Sequence, residues 1–96
     1  PYSVEVEVES FLDEEPDEQH PEGIIRIGAI IYVERDSQKG IIIGKGGKAL
    51  KRVGTQARRE IEAFFGKPVF LQLFVKVDKD WRSSQTRLRH YGYDLN

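Results

Sequence analysis

The residues in this chain with the most chemistry to offer form one run, Ile41-Ile42-Ile43-Gly44-Lys45-Gly46-Gly47-Lys48-Ala49-Leu50. Glycine has no Cβ, so its backbone can approach an anion closely and adopt turns closed to other residues. Where such a turn opens a helix, the first-turn N–H groups have no partner within the helix, and the helix dipole favours negative charge there. Lys45 and Lys48 put a point charge on either side. The chemistry suited to this pattern is the gripping of phosphate.

Three phosphate motifs compete for it. The Walker loop needs GxxxxGK[ST], but Gly40 precedes Gly44 by four positions rather than five and Lys45 is followed by Gly46, so the pattern fails twice. The dinucleotide fingerprint G-x-G-x-x-[GA] is met formally by Gly44, Gly46 and Ala49. It must directly follow a strand, however, and here about eight residues and a short helix intervene, with no second βα unit to hold the rest of a dinucleotide. The third is helix–GxxG–helix, Gly44 to Gly47, in which a loop between two helices clamps nucleotide backbone while apolar side chains form a groove for bases. Ile41 to Ile43 lead in; Leu50 and Val53 lead out. A plain interhelical turn would account for the glycines, but not for three successive isoleucines beside lysines at an exposed turn.

Charge supports a polyanionic partner. The net charge is only -1, yet residues 1–22 hold nine acids and no Lys or Arg, while all fifteen basic residues follow Gly23. Between Ser37 and Arg59 there are seven Lys or Arg and no acid. A solvated basic helix face would give the same count, so charge alone leaves both readings open.

Other chemistries find little support. Without cysteine there is no disulfide, thiolate nucleophile or cysteine metal site, as suits a reducing cytoplasm. His20 and His90 stand far apart and offer no metal-ligand spacing. The carboxylates of Asp13–Gly23, DEEPDEQHPEG, have nothing apolar nearby to raise one pKa above another, so they read as a solvated loop rather than an acid–base pair. No Ser/His/Asp or Cys/His constellation is present, and no catalytic residue is expected. No apolar run approaches the ~18 residues of a membrane span, and the start has no signal-peptide pattern. With Pro1 in place of Met and an early strand, the chain is expected to be cut from something longer.

The elements that must position the glycine run follow from periodicity. Val4, Val6 and Val8 alternate with Glu5, Glu7 and Glu9, predicting an edge strand with one dry face. A hairpin loop covers Asp13–Gly23, and the β-branched run up to Asp36 predicts a central strand with Ile25, Ile27, Ala29, Ile31 and Val33 on one face. Asp36 or Ser37 is placed to cap a short helix through Ile43. A second helix runs from about Lys48 to Phe65, with Leu50, Val53, Ala57, Ile61 and Phe64 on one face, stopped by Gly66 and followed by Pro68. Val69 to Val77 alternates as a third strand, and Ser83 or Ser84 would cap a last helix to about Tyr91. The element order is β-β-α-(Gly loop)-α-β-α, an α+β chain in one domain over residues 1–96.

The stretch Ile42 to Arg58, IIGKGGKALKRVGTQAR, resembles the GxxG-bearing segment of type II KH domains. With Pro1–Phe11, Ile30–Arg58, Leu73–Arg82 and Leu88–Tyr93 taken together, most of the chain is similar to the C-terminal KH domain of Era-like bacterial GTPases. That resemblance implies a three-stranded mixed sheet with helices packed on one face, and single-stranded RNA binding, with the 3′ end of 16S rRNA and the 30S subunit as partners in ribosome assembly. It implies Gly44, Lys45, Gly46 and Gly47 as the backbone clamp, and Ile42, Ile43 and Leu50 as groove lining. Lys45, Lys48, Lys51 and Arg52 are implied as phosphate contacts. GTP and Mg would belong to a GTPase domain absent here, and the setting would be cytoplasmic, peripheral at the inner membrane in the full-length relatives. Type II KH domains also carry a helix before the first strand; a chain lacking it would be compensated by the C-terminal helix or by self-association.

Two other surfaces compete. Phe70, Phe74 and Tyr32 would share the sheet face away from the helices, reminiscent of a stacking platform, but the RNP1 pattern is absent and ordinary sheet residues are expected. Trp81 and Tyr91 are expected to pack rather than stack. From a different class, a protein-interaction module docking a ribosomal or GTPase partner would show the same charge pattern.

Overall fold

The computed structural model describes residues 4–79. Strands β1 (Glu5–Glu14) and β2 (Ile24–Val33) are followed by helix α1 (Asp36–Ile43), a 3-10 turn (Lys45–Gly47), helix α2 (Lys48–Phe65) and strand β3 (Val69–Val77). The sheet order is β1-β2-β3, with β1 antiparallel and β3 parallel to β2. Parallel neighbours need a crossover, and the two helices with the glycine turn between them supply it.

The apolar run of β2 puts it in the middle. Ile25 and Val33 are fully buried, and Ile24, Ile30 and Tyr32 on the opposite face are buried as well. On the helix side Ile25, Ile27 and Val69 pack with Ile61 and Leu71, while Ile31, Val33 and Val75 pack with Ile42, Ile43 and Leu50. The helical layer therefore sits over β2 and β3, on one face of the mixed sheet.

That placement corrects two expectations. The valine face of β1 is not dry, since Val6 is 59% and Val8 61% exposed. The helices cover β2 and β3 and leave the helix-side face of β1 open at Val6 and Val8. On α2 the inward stripe is Leu50, Gly54, Ala57 and Ile61, while Val53 and Phe64 are exposed at its flank. A register shift between Val8 and Ser10 brings Phe11 onto the same face as Val8, because their partners on β2 are Ile27 and Ala29. Phe11 then meets Phe65 at 6.0 Å between ring centroids, and Phe65 meets Phe64 edge-on at 4.9 Å.

The ends of the elements have local causes. Helix α1 begins at Asp36, but neither Asp36 nor Ser37 caps it through a side chain. Instead Gln38 Oε1 reaches back to accept the N–H groups of Glu34 and Arg35, each at 2.9 Å. Helix α2 stops at Gly66, whose φ of 68° is open to glycine and whose N–H bonds Glu62 O at 2.7 Å. The acidic hairpin is shorter than its composition indicates because β1 runs on to Glu14. Asp13 pairs with Lys67 at 2.8 Å and Glu14 with Arg26 at 3.1 Å. The expected last helix, with Trp81, His90 and Tyr91, lies outside the described residues. Among those described, no helix is long and apolar enough to cross a membrane.

Candidate nucleic-acid interface

The three glycines of the loop serve different purposes. Gly44 ends α1, its N–H bonding Gly40 O at 2.8 Å, with φ 75° and ψ 175°. A Cβ there would stand 2.7 Å from Ala49 Cβ and 3.0 Å from Ala49 N, so this glycine lets the loop fold against the first turn of α2. Gly46 (φ 63°, ψ 20°) and Gly47 (φ 78°, ψ 10°) are left-handed, and a Cβ on either would meet nothing within 4 Å. Their bare backbone is at the surface, open to close approach.

Gly47 is also the N-cap residue of α2 and offers no side chain to the first-turn N–H groups. No acid stands in that turn, and Lys45 and Lys48 are exposed beside it. The Gly47 and Lys48 N–H groups bond Gly44 O and Lys45 O, and the positive end of the helix dipole and two ammonium groups converge at this corner.

From this corner a groove of about 330 Å³ runs between α2 and β3. Gly47, Leu50, Lys51, Gly54, Thr55 and Arg58 line its helix side; Leu71 and Leu73 line its strand side. Gly54 allows the close approach, since a Cβ there would lie 3.3 Å from Leu73 Cδ1. β3 is an edge strand, so alternate backbone groups are without a strand partner among the described residues. The outer side of α2 carries a second hollow of about 510 Å³ among Lys48, Lys51, Arg52, Thr55, Gln56 and Arg59. Lys51 and Thr55 form the ridge between the two.

The far end of the groove is fixed by Glu62. Its Oε1 accepts a hydrogen bond from Arg58 Nη1 at 2.9 Å, and its Oε2 accepts the Val69 N–H at 2.9 Å. The Val69 N–H holds this carboxyl below its ordinary value; partial burial opposes the shift, and Arg58 and Arg59 reinforce it.

The sequence-predicted residues divide among these surfaces. Gly44 to Gly47 form the loop, Leu50 and Lys51 enter the groove, and Lys48 and Arg52 face the outer hollow. Ile43 packs against Ile31, Val33 and Val75 beneath the loop. Ile42 joins that core and lines a separate small hollow with Val4, Gln38 and Ile41, so it is not part of the α2–β3 groove. Gly54, Thr55, Arg58, Leu71 and Leu73 also line the groove and were not singled out from the sequence. The helical spacing 47, 50, 51, 54, 55, 58 was visible, but nothing in it says that β3 faces that stripe.

The reverse face is not a three-ring platform, because Tyr32 is buried, while Phe70 and Phe74 are about half exposed. Arg26 lies over the Phe70 ring at 5.7 Å and pairs with Glu14. Among the described residues, no group of three or more His, Cys, Asp or Glu is arranged to hold a metal ion.

A family model described as KH domain matches residues 1–82. The chain is 51% identical over 94 residues to GTPase Era of Geotalea uraniireducens (strain Rf4), covering 98% of this chain and 30% of the relative. Against GTPase Era of Coxiella burnetii (strain Dugway 5J108-111) it is 52% identical over 94 residues, with the same coverage. The chain thus spans about 30% of the length of the curated relatives it matches. Two solved structures superpose with a TM-score of 0.76 and 40% identity, over 95% of this chain and 29% of theirs. One is Era from Aquifex aeolicus bound to GDP and aluminium fluoride, the other Era in complex with MgGDPNP and nucleotides 1506–1542 of 16S ribosomal RNA.

Proposed function

The chain belongs to the KH domain family, and from that membership we propose that it binds single-stranded RNA as the KH unit of an Era-like GTPase. The observation that carries this reading is the junction of the Gly44–Gly47 loop with the α2–β3 groove. Sugar-phosphate backbone would follow the open glycines, the first-turn N–H groups of α2, Lys45 and Lys48. Unstacked bases would enter over Leu50, Gly54, Leu71 and Leu73. A paired A-form helix buries its base edges in a deep, narrow groove, so the strand must be single where it is read.

In this reading the partner is the 3′ end of 16S rRNA within the 30S subunit; the Era structure in complex with nucleotides 1506–1542 of 16S ribosomal RNA supports an RNA partner of this kind. In this reading GTP and Mg belong to the part of the relatives that this chain does not span. These 96 residues then carry no catalytic step of their own, and the protein works in the cytoplasm.

The test is fluorescence anisotropy with short single-stranded RNAs, including a 3′-terminal 16S rRNA segment and a scrambled control, at two salt concentrations. Preferential and salt-sensitive binding supports the reading. A folded protein that binds none of them overturns it. A second reading, docking of a protein partner or a second copy, is favoured by the open apolar flank of Val6, Val8, Val53 and Phe64. Ribosomal association that survives RNase would favour it.

A further inference from the structure

We propose that Arg58 reads a base edge in the α2–β3 groove and that Glu62 is the positioning residue that aims it. The inference rests on the RNA-binding reading and adds the class of base accepted at one groove position. That base presents two neighbouring acceptors, as guanine does with N7 and O6, or cytosine with N3 and O2.

Among the cations of α2, Arg58 alone combines groove position with a fixed geometry. Lys51 also lines the groove but is an exposed point charge on a flexible stem, suited to phosphate rather than to a base edge. Arg52 and Arg59 face the outer hollow. The Arg58 side chain is 37% exposed, and its Nη1 is tied to Glu62 at 2.9 Å. A guanidinium carries five N–H donors in a rigid planar fork, so one bond to Glu62 orients the plane and leaves donors for a ligand.

Glu62 is itself held from the other wall. Its second oxygen accepts the N–H of Val69, the first residue of β3, at 2.9 Å. One carboxylate therefore sets both the direction of the fork and the local separation of helix and strand. As a helix pair Arg58 and Glu62 have the weaker of the two i,i+4 orientations, with the acid C-terminal to the base. Leu71 and Leu73 supply an apolar floor, and a hydrogen bond made over such a floor discriminates more than one made in water.

The test uses the whole chain and four RNAs that differ at one groove nucleotide, with anisotropy as the readout. Wild type is expected to prefer guanine or cytosine there by about tenfold. Glu62→Gln keeps an acceptor for the Val69 N–H but loses the charge on Arg58, and is expected to lose most of that preference while still binding RNA. Arg58→Lys, which leaves the Glu62–Val69 bond in place, should lose it too, and Glu62→Gln should add nothing in the Arg58→Lys background. Full preference in folded Glu62→Gln, or effects of the two changes that multiply, would overturn the inference. Wild type that binds all four RNAs equally sinks only this inference, whereas wild type that binds none sinks the RNA reading beneath it.

Discussion

Gly54 and Leu73 bring α2 and β3 together, for a Cβ on Gly54 would stand only 3.3 Å from Leu73 Cδ1. A glycine inside an exposed helix costs about 1 kcal/mol relative to alanine, so its place in α2 is explained by what it leaves open. The atom a new methyl would crowd is the far end of a flexible, half-buried side chain. Gly54→Ala is therefore expected to stabilise the fold by up to about 1 kcal/mol, a rise of about 4–8 °C in Tm for a domain of this size. Gly54→Leu should instead fill the groove and abolish RNA binding while circular dichroism stays native. Unimpaired binding by Gly54→Leu would remove the groove from the site.

The loop glycines separate room from access. Gly44 combines φ 75° with ψ 175°, a region almost closed to other residues, and its Cβ would collide with Ala49. Gly44→Ala is expected to cost about 2 kcal/mol or more, read as a lower denaturation midpoint. Gly46 and Gly47 sit in ordinary left-handed conformations facing open space, which aspartate tolerates at about 1 kcal/mol each. The double change Gly46→Asp with Gly47→Asp should leave a folded protein that no longer binds RNA, since two carboxylates would occupy the phosphate path. Binding equal to wild type would refute the clamp.

The order of elements from β1 to β3 and the stop at Gly66 were legible because period-two and helical patterns and turn residues determine them locally; the mixed sheet came with the family resemblance. What was not legible depended on which strand the helices cover. Val6 and Val8 satisfy the pattern of a dry face, yet α1 and α2 lie over β2 and β3, and nothing in β1 announces that. The azimuth of α2 was misjudged by about one position for a related reason. Val53 and Phe64 fit the apolar stripe by type, whereas Gly54 fits it by being small, and smallness carries no hydrophobic signal. Leu71, Leu73 and Arg58 line the groove only through that contact. Ile42 was placed in the groove by adjacency to the glycines, but its side chain turns to the core and to the hollow beside Val4.

Glu62 gives the stability a pH dependence of known sign. Its folded-state pKa lies below the ordinary 4.5, first through the Val69 N–H and then through Arg58. A depressed carboxylate contributes stability that is complete above the unfolded-state value and is lost as pH falls through the folded-state value. Thermal midpoints of wild type and Glu62→Gln should therefore differ most near neutral pH and converge below pH 4.5. A difference that stays constant from pH 6 down to about pH 3 would mean that the carboxylate charge is not what Val69 and Arg58 recognise.

Salt dependence distinguishes the corner of the site from its floor. Lys45 stands in the loop beside the N-terminus of α2, where a phosphate would rest, and Leu73 stands where a base would. Each phosphate contact with a single strand contributes about -0.7 to the slope of log K against log salt, because binding there releases condensed counterions. Lys45→Ala should thus weaken binding to all sequences alike and flatten the slope by about 0.7. Leu73→Ala removes only apolar surface, so it should lower affinity at every salt concentration and leave the slope unchanged. The two lines would be shifted relative to wild type in different ways, one in gradient and one in height. If Lys45→Ala keeps the wild-type gradient, the phosphate is not at this corner, and the outer hollow of Lys48, Arg52 and Arg59 becomes the path to test.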